Sequence, residues 1–423
     1  MKTIVLDDDP TGTQSASGVT VLLESDADLL TEALRHADSV YVQTNSRALD
    51  EAAAVALAGR IRADGEAAAE RLGDSVRFVL RGDSTLRGHV FTETAVFLDD
   101  DAVMLFVPAF PAGGRTTLGG MHRVRVDGQD VPAHETEYAD DPVFGFSTAI
   151  LVDYVREASG RQGVHVPLDV VRGDPQALAS ALADAVTGSV VIPDVLDDED
   201  VRRVAIAVET ATRDGRRIVV RSAAPLAAEL AGVASRGLLD VPLEVAAGPT
   251  LLVCGSHTSG ATAQLEPVVR AWGAPTVVDT AAALEDPEAA GRAAAEAARA
   301  RMAGGDRLVV VASERQRAVH HDTLDHGERV MRALTTAVRL LAEGTPVVVA
   351  KGGITSAEVA RTGIGATAAT VLGQVLPGVS VWRMNAHDGH DVLYVVVPGN
   401  VGGPDTLVRV LEAVGRFSAD VGG

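Results

Sequence analysis

Residues 39–80 read SVYVQTNSRALDEAAAVALAGRIRADGEAAAERLGDSVRFVL. The β-branched run Ser39–Gln43 predicts a strand. The Ala-rich stretch Glu51–Arg71 predicts a long helix, and Val76–Leu80 a second strand. A strand, a helix and a strand in this order form the unit from which parallel sheets with crossover helices are built. The same alternation extends in both directions. Thr3–Leu6 and Val19–Leu23 precede it as strands, and Val103–Val107, Ser189–Ile192 and Arg217–Val220 follow.

Near Val241–Pro249 the composition changes, with Pro242, Gly248 and Pro249 beside a weakly periodic segment. A fresh series then begins at Thr250–Cys254. Its strands are Asp306–Ala312, Thr345–Ala350 and Leu393–Val397, and its helices lie around Asp286–Met302 and Glu328–Glu343. Asp388-Gly389 reads as a hairpin turn ahead of the last strand. The expected fold class is α/β, with two domains, 1–245 and 246–423, each a mainly parallel sheet flanked by helices.

The whole chain has 423 residues, 47 % of them apolar and 22 % charged, the balance of a globular protein. There are 37 basic and 58 acidic side chains, a net charge of −21. That surplus argues against nucleic acid and against anionic lipid as partners. Anionic substrates then need a locally basic pocket. One cysteine, Cys254, excludes an internal disulfide and fits a reduced, cytoplasmic setting as a small buried strand residue. The N-terminal apolar run is too short for a signal peptide, and no stretch is long enough for a membrane helix.

Polar segments follow the strands, which places them at the carboxyl edge where open α/β sheets bind ligands. Asp7-Asp8-Asp9-Pro10-Thr11-Gly12 gathers carboxylates that suit a cation or several hydroxyls. Thr44-Asn45-Ser46-Arg47 supplies small donors and an arginine. Arg81-Gly82-Asp83-Ser84-Thr85-Leu86-Arg87-Gly88-His89 flanks an aspartate with two arginines, which can grip a carboxylate, while Asp83 can hold or deprotonate a hydroxyl. Pro108–Thr117 contributes Gly113-Gly114 and a further anion donor, Arg115.

In the second half, Cys254-Gly255-Ser256-His257-Thr258, Lys351-Gly352-Gly353-Ile354-Thr355-Ser356 and Val397-Pro398-Gly399-Asn400 are three glycine-bearing turns after strands. Together they predict one phosphate-binding edge. Thr355 and Glu358 have the spacing of a capping box. No Walker A loop and no dinucleotide fingerprint occur. His320, His321 and His326 with Asp322 and Asp325, and His387 with His390, read as surface segments because their spacing specifies no metal geometry.

Taken in order, these segments resemble the four-carbon acid sugar kinase family along nearly the whole chain. Asp8-Asp9-Pro10-Thr11-Gly12 matches its N-terminal Asp-Asp-x-Thr-Gly, and Thr44–Arg47 its Thr-x-Ser-Arg. Arg81–Gly88 matches Lys-x-Asp-Ser-Thr-x-Arg-Gly, the most specific of the set. Pro108–Thr117, Gly255–Gln264 and Gly352–Ser356 match further segments. Val397 stands where the family has a lysine, Val401 where it has an aromatic, and Ile354 where a polar residue is common.

The resemblance implies an ATP-dependent kinase that phosphorylates a hydroxyl of a small acid sugar, such as a tetronate, 3-oxo-tetronate or 3-oxo-isoapionate. It implies ATP and Mg²⁺, an active site in the interdomain cleft, and domain closure that excludes water. Catalysis would fall to Asp8, Asp83, Arg81 and Arg87, with the two arginines clamping the substrate carboxylate or the transferring group. Substrate binding would fall to Asp9, Thr11, Asn45, Ser46, Arg47, Ser84 and Arg115. Ser256, Thr258, Gly352, Gly353, Thr355 and Gly399 would hold the nucleotide, and any metal-ligating residues stay open. The partner implied is a small acid sugar, with no nucleic acid and no membrane, and with homo-oligomerisation left open. The alternative is a sugar-acid sensor with a degenerate nucleotide domain.

Overall fold

The computed structural model describes residues 1–417 except Asp127, Arg236, residues 316–323 and Asn400. His320, His321, Asp322 and Asn400, singled out above, therefore lie outside the described residues, as does the side chain of Asp325. The chain divides into two compact units, Met1–Ala234 and Ser235–Gly423.

The first unit contains β1 (Lys2–Asp7), β2 (Val19–Leu22), β3 (Ser39–Gln43), β4 (Val76–Arg81), β5 (Val103–Val107), β6 (Arg115–Leu118), β7 (Met121–Val126), β8 (Gln129–Pro132), β9 (Gly163–Val166), β10 (Val190–Pro193) and β11 (Ile218–Ser222). Eight of these pair in the order β2-β3-β1-β4-β11-β5-β10-β9, every pair parallel. Thr3–Asp7 of β1 is buried without a break, as expected of a strand covered on both faces.

The predicted long helix spans Glu51–Leu72. Asp50 caps it by accepting from the Ala53 amide at 2.8 Å, and Gly73 ends it in the left-handed region at φ +66°. Gly65 lets it press onto the sheet, since a Cβ there would sit 2.7 Å from Ile4 Cδ1 and from Phe78 Cε1. Strands β6, β7 and β8 form a separate antiparallel sheet that the parallel pattern does not anticipate.

The second unit contains β12 (Thr250–Cys254), β13 (Thr276–Val278), β14 (Leu308–Ser313), β15 (Val347–Lys351), β16 (Ala368–Leu376), β17 (Val379–Asn385) and β18 (Asp391–Val397). Their order is β13-β14-β12-β15-β18-β17-β16, with β17 antiparallel to both neighbours and the rest parallel. Gly389 turns the predicted hairpin at φ +87°. Strand β16 alternates in burial along its whole length, but its run AATVLGQVL is diluted by alanine, glycine and glutamine and so does not read as a β-branched run; its pairing with β17 carries register shifts between Val371 and Gly373 and between Gln374 and Leu376.

Leu252, Val310, Val349 and Val395 centre the core of this unit. The Pro/Gly-rich stretch packs onto it: Leu243 N donates to Ala413 O at 2.7 Å, and Arg416 Nη2 to Gly248 O at 2.7 Å. Cys254 is a free, fully buried strand residue. Among the described residues no helix is long and apolar enough to cross a membrane.

Candidate active site

In the first unit the segments after β1, β3 and β4 meet at one carboxyl edge. Strand β1 lies between β3 and β4 in register, with Asp7 opposite Gln43 and Arg81. Arg81 is 4 % exposed, and its Nη1 donates to Asp7 Oδ1 at 2.9 Å, Asp8 Oδ1 at 3.2 Å and Asp9 O at 3.0 Å. These three bonds tie it into the acidic turn and make it the internal support of Asp7, Asp8 and Asp9.

Arg47 and Arg87 face outward more. Arg47 pairs with Asp9, reaches Asp8 Oδ2 at 3.5 Å and Asp83 Oδ2 at 3.3 Å. Arg87 Nε donates to Asp83 Oδ2 at 2.8 Å, and its guanidinium lies 4.9 Å from the Tyr138 ring centre.

The carboxylates differ sharply in environment. Both Asp83 oxygens are occupied: Oδ1 by the Thr85 amide at 3.2 Å, Oδ2 by Thr85 Oγ1, Arg87 and Arg47. Burial alone would raise its pKa, but Arg87 and Arg47 hold it far below the ordinary carboxylate range. Asp9 is lowered too, because Arg47 and Arg81 outweigh its desolvation. Asp8 is raised, chiefly by burial, against the pull of Arg47, Arg81 and Arg221. Burial likewise pushes Asp7 up to about 7. Asp8 Oδ2 finds no hydrogen bond among the described residues.

Sequence reasoning missed several members. Arg221, at the end of β11, is 2 % exposed. It joins Glu93 at 2.7 Å and approaches Asp8 Oδ2 at 3.6 Å. An arginine closing an otherwise apolar strand was the one available signal. Its guanidinium explains Gly82, where a Cβ would lie 2.5 Å from Nη2. His122, fully buried on β7, ties the hairpin to the Asp83 loop through Ser84 O at 2.8 Å and Thr117 Oγ1 at 3.0 Å. Desolvation lowers its pKa to about 4, so the ring is neutral.

The remaining candidates have lesser or different places. The Thr11 amide donates to Asp9 Oδ1 at 2.7 Å. Asn45 adopts φ 49° and opens the turn that presents Arg47, while Ser46 is buried beneath it. Ser84 contributes its carbonyl to His122. Arg115 folds back onto Gly113 O and joins none of the ion pairs above.

In the second unit the turns after β12, β15 and β18 converge, because these strands are direct neighbours. Ser256 Oγ and Thr258 Oγ1 are 3.2 Å apart, and Thr258 Oγ1 is 3.5 Å from Gly399 O. Thr258 also caps the helix Ser259–Trp272, accepting from the Ala261 amide at 3.2 Å. Gly352, at φ +111°, fits closely against Ser256 and Thr355; a Cβ there would meet Ser256 Cβ at 3.0 Å and Thr355 Oγ1 at 3.2 Å.

Gly352 is itself the N-cap of the helix Gly353–Glu358, without a side-chain hydrogen bond. Thr355 therefore lies inside that helix, and Glu358 pairs instead with Arg361, so the predicted capping box does not form. The position where the resemblance leads one to expect a lysine is Val397; Lys351 occupies the paired register position on β15. Among the described residues no group of three or more His, Cys, Asp or Glu side chains is arranged to hold a metal ion.

Residues 3–230 match the family model of a sugar-binding N-terminal domain, and residues 251–407 that of a nucleotide-binding C-terminal domain. The chain belongs to the four-carbon acid sugar kinase family. This kinase is 33 % identical over 389 residues to a D-threonate kinase of Bordetella bronchiseptica, covering 90 % of this chain and 87 % of that one. It is 30 % identical to a D-threonate kinase of Cupriavidus necator, over 82 % of this chain and 80 % of that one. A D-erythronate kinase of Heliobacterium modesticaldum is 30 % identical over 59 % of this chain and 54 % of its own.

Among solved structures, a Haemophilus influenzae protein of the DUF1537 family model shares the fold. Its TM-score is 0.65 at 18 % identity, covering 97 % of the kinase and 100 % of that chain. As its named relatives indicate, the kinase is a phosphotransferase acting on a hydroxyl group.

Proposed function

We propose that the chain transfers the γ-phosphoryl group of MgATP to a hydroxyl of a small four-carbon or branched acid sugar, such as a tetronate, 3-oxo-tetronate or 3-oxo-isoapionate. The unit Met1–Ala234 takes the acid sugar and the unit Ser235–Gly423 the nucleotide. The observation that carries this reading is the carboxylate and guanidinium network at the β1, β3, β4 and β11 edge. It offers cations for a carboxylate and a carboxylate for a hydroxyl within one cluster.

Phosphoryl transfer is mostly positioning and charge stabilisation. Arg47 and Arg87, whose side chains are 18 % and 26 % exposed, grip the substrate carboxylate. Asp83 holds those two guanidiniums in place. It is a poor base because its oxygens are occupied and its charge is stabilised. Asp8 receives the proton of the attacking hydroxyl at Oδ2. The hydroxyl oxygen forms the new bond to phosphorus, the bond to the bridging oxygen breaks, and ADP leaves. Ser256, Thr258 and the Gly352-Gly353 turn cradle the phosphates. Magnesium bound with the nucleotide would supply neutralisation of the phosphate charge.

The test is ADP release by purified protein with MgATP and a panel of four-carbon and branched sugar acids and their 3-oxo forms. Release that depends on one acid is expected. Nucleotide binding without acid-dependent release from any of them would replace the kinase reading with a sugar-acid sensor.

A further inference from the structure

Lys351 ends β15 and is fully buried. In register it lies between Cys254 of β12 and Val397 of β18. Among the described residues no carboxylate comes within ion-pair distance of its ammonium. A buried ammonium without a counter-ion is unfavourable, and such groups generally meet a ligand's charge or lose their proton. Its Nζ donates to Pro398 O at 2.6 Å and Gly399 O at 3.4 Å. Those carbonyls belong to the turn after β18, one of the three that converge. Carbonyl oxygens facing an anion repel it; here both are drawn onto the ammonium instead. Gly399 O also lies near Thr258, the cap of the helix Ser259–Trp272. One cation therefore sets the turn and stands behind the edge at which phosphates are proposed to bind.

We propose that Lys351 is the positioning residue of this edge, holding the Pro398–Gly399 turn and supplying the counter-charge for a nucleoside triphosphate, so that nucleotide affinity follows its protonation. This rests on the nucleotide reading above. Burial pushes the ammonium down to about 8. From β12 it faces the Cys254 thiol, itself pushed up by burial and bonded by Arg315. From β18 the nearest titratable group is Tyr394, whose hydroxyl donates to Ser356 O and whose pKa burial pushes far up. Neither group changes charge near pH 8 in the direction that would mimic the lysine.

The charged form binds phosphate, so affinity is highest below pH 8 and falls above it. Between pH 7 and 9 the charged fraction drops about tenfold, and the Kd for ATP rises by up to that factor. Binding near pH 8 takes up about half a proton per site.

Titration calorimetry of the full chain with ATP and magnesium chloride, at pH 7, 8 and 9 and in two buffers of different ionisation enthalpy, reads both effects. Wild type is expected to show the affinity loss and a buffer-dependent heat at pH 8. Lys351→Met is expected to bind roughly tenfold more weakly at pH 7, with no pH trend and no proton uptake. Lys351→Arg keeps its charge and is expected to bind without a pH trend. A wild-type protein that binds ATP with flat affinity and no proton uptake overturns the proposal, even if Lys351→Met does not fold. So does Lys351→Met retaining the wild-type affinity and trend. A wild-type protein that binds no ATP at any pH overturns the nucleotide reading itself.

Discussion

Asp8 and Asp83 are chemically identical side chains within one ion-pair network, and their surroundings shift their acidity in opposite directions, which is the ground for the opposite roles proposed for them. Removing the proton acceptor affects the chemical step, where general-base catalysis contributes roughly 10²–10⁴-fold. Asp8→Asn is therefore expected to lower kcat by about that factor with little change in KM. Asp83→Asn instead frees Arg47 and Arg87, so turnover falls sharply and KM for the acid sugar rises with it. Steady-state kinetics of both variants separate the roles; unchanged KM in Asp83→Asn would remove its positioning function.

His122 carries a different residue-scale prediction. Its folded pKa, about 4, lies below the unfolded value of 6.5. The unfolded chain binds more protons between those values, so this stabilisation is full above about pH 6.5 and is lost as pH falls toward 4. Asp7 is raised to about 7 and acts in the opposite sense, favouring the fold at low pH. Subtracting a His122→Asn curve from wild type isolates the histidine. Urea unfolding from pH 4 to 7 is expected to show the gap between the two proteins shrinking by roughly 3 kcal/mol at most as pH falls.

At the scale of elements, the loop after β4 is shaped by a strand far away in the sequence. Gly82 exists beside Arg221 because nothing larger fits. Gly82→Ala is expected to displace a guanidinium already fixed by Glu93, at about 1–3 kcal/mol, and to lower activity through Asp8. Wild-type stability and turnover in that variant would remove Arg221 from the site. In the second unit, Thr258→Ala deletes a helix cap and is expected to lose about 1 kcal/mol of stability while weakening nucleotide binding. Urea midpoints and ATP titration check both.

These elements also show what a sequence reveals. The turns after β1, β3, β4, β12, β15 and β18 were legible because each follows an apolar run and breaks it with small polar residues, glycine or charge. Arg221 was not, because its partners Glu93 and Asp8 are brought to it by sheet order alone. His122 was hidden in an antiparallel hairpin inserted among parallel strands. The outward exposure of Arg47 and the burial of Arg81 depend on which side of the acidic turn each guanidinium enters, and motif spacing carries no trace of that.

At the scale of the whole molecule, charge sets how substrates arrive. The chain carries −21, yet both proposed substrates are anions. The local network is close to balanced, with Arg47, Arg81, Arg87 and Arg221 facing Asp7, Asp8, Asp9, Asp83 and Glu93, two of which, Asp7 and Asp8, burial pushes toward the protonated form, so it does not offset the surplus of the whole chain. Long-range repulsion is therefore stronger than long-range attraction until the acid sugar is within a few ångströms of Arg47 and Arg87. Salt screens the distant charges first, with a Debye length near 8 Å at physiological ionic strength, and leaves the buried pairs largely intact. Raising ionic strength from about 10 to 150 mM is thus expected to raise kcat/KM for the acid sugar by roughly two- to threefold, the opposite of an enzyme that steers anions with a basic surface. A fall in kcat/KM over that range would mean that exposed arginines, and not the net charge, govern the approach.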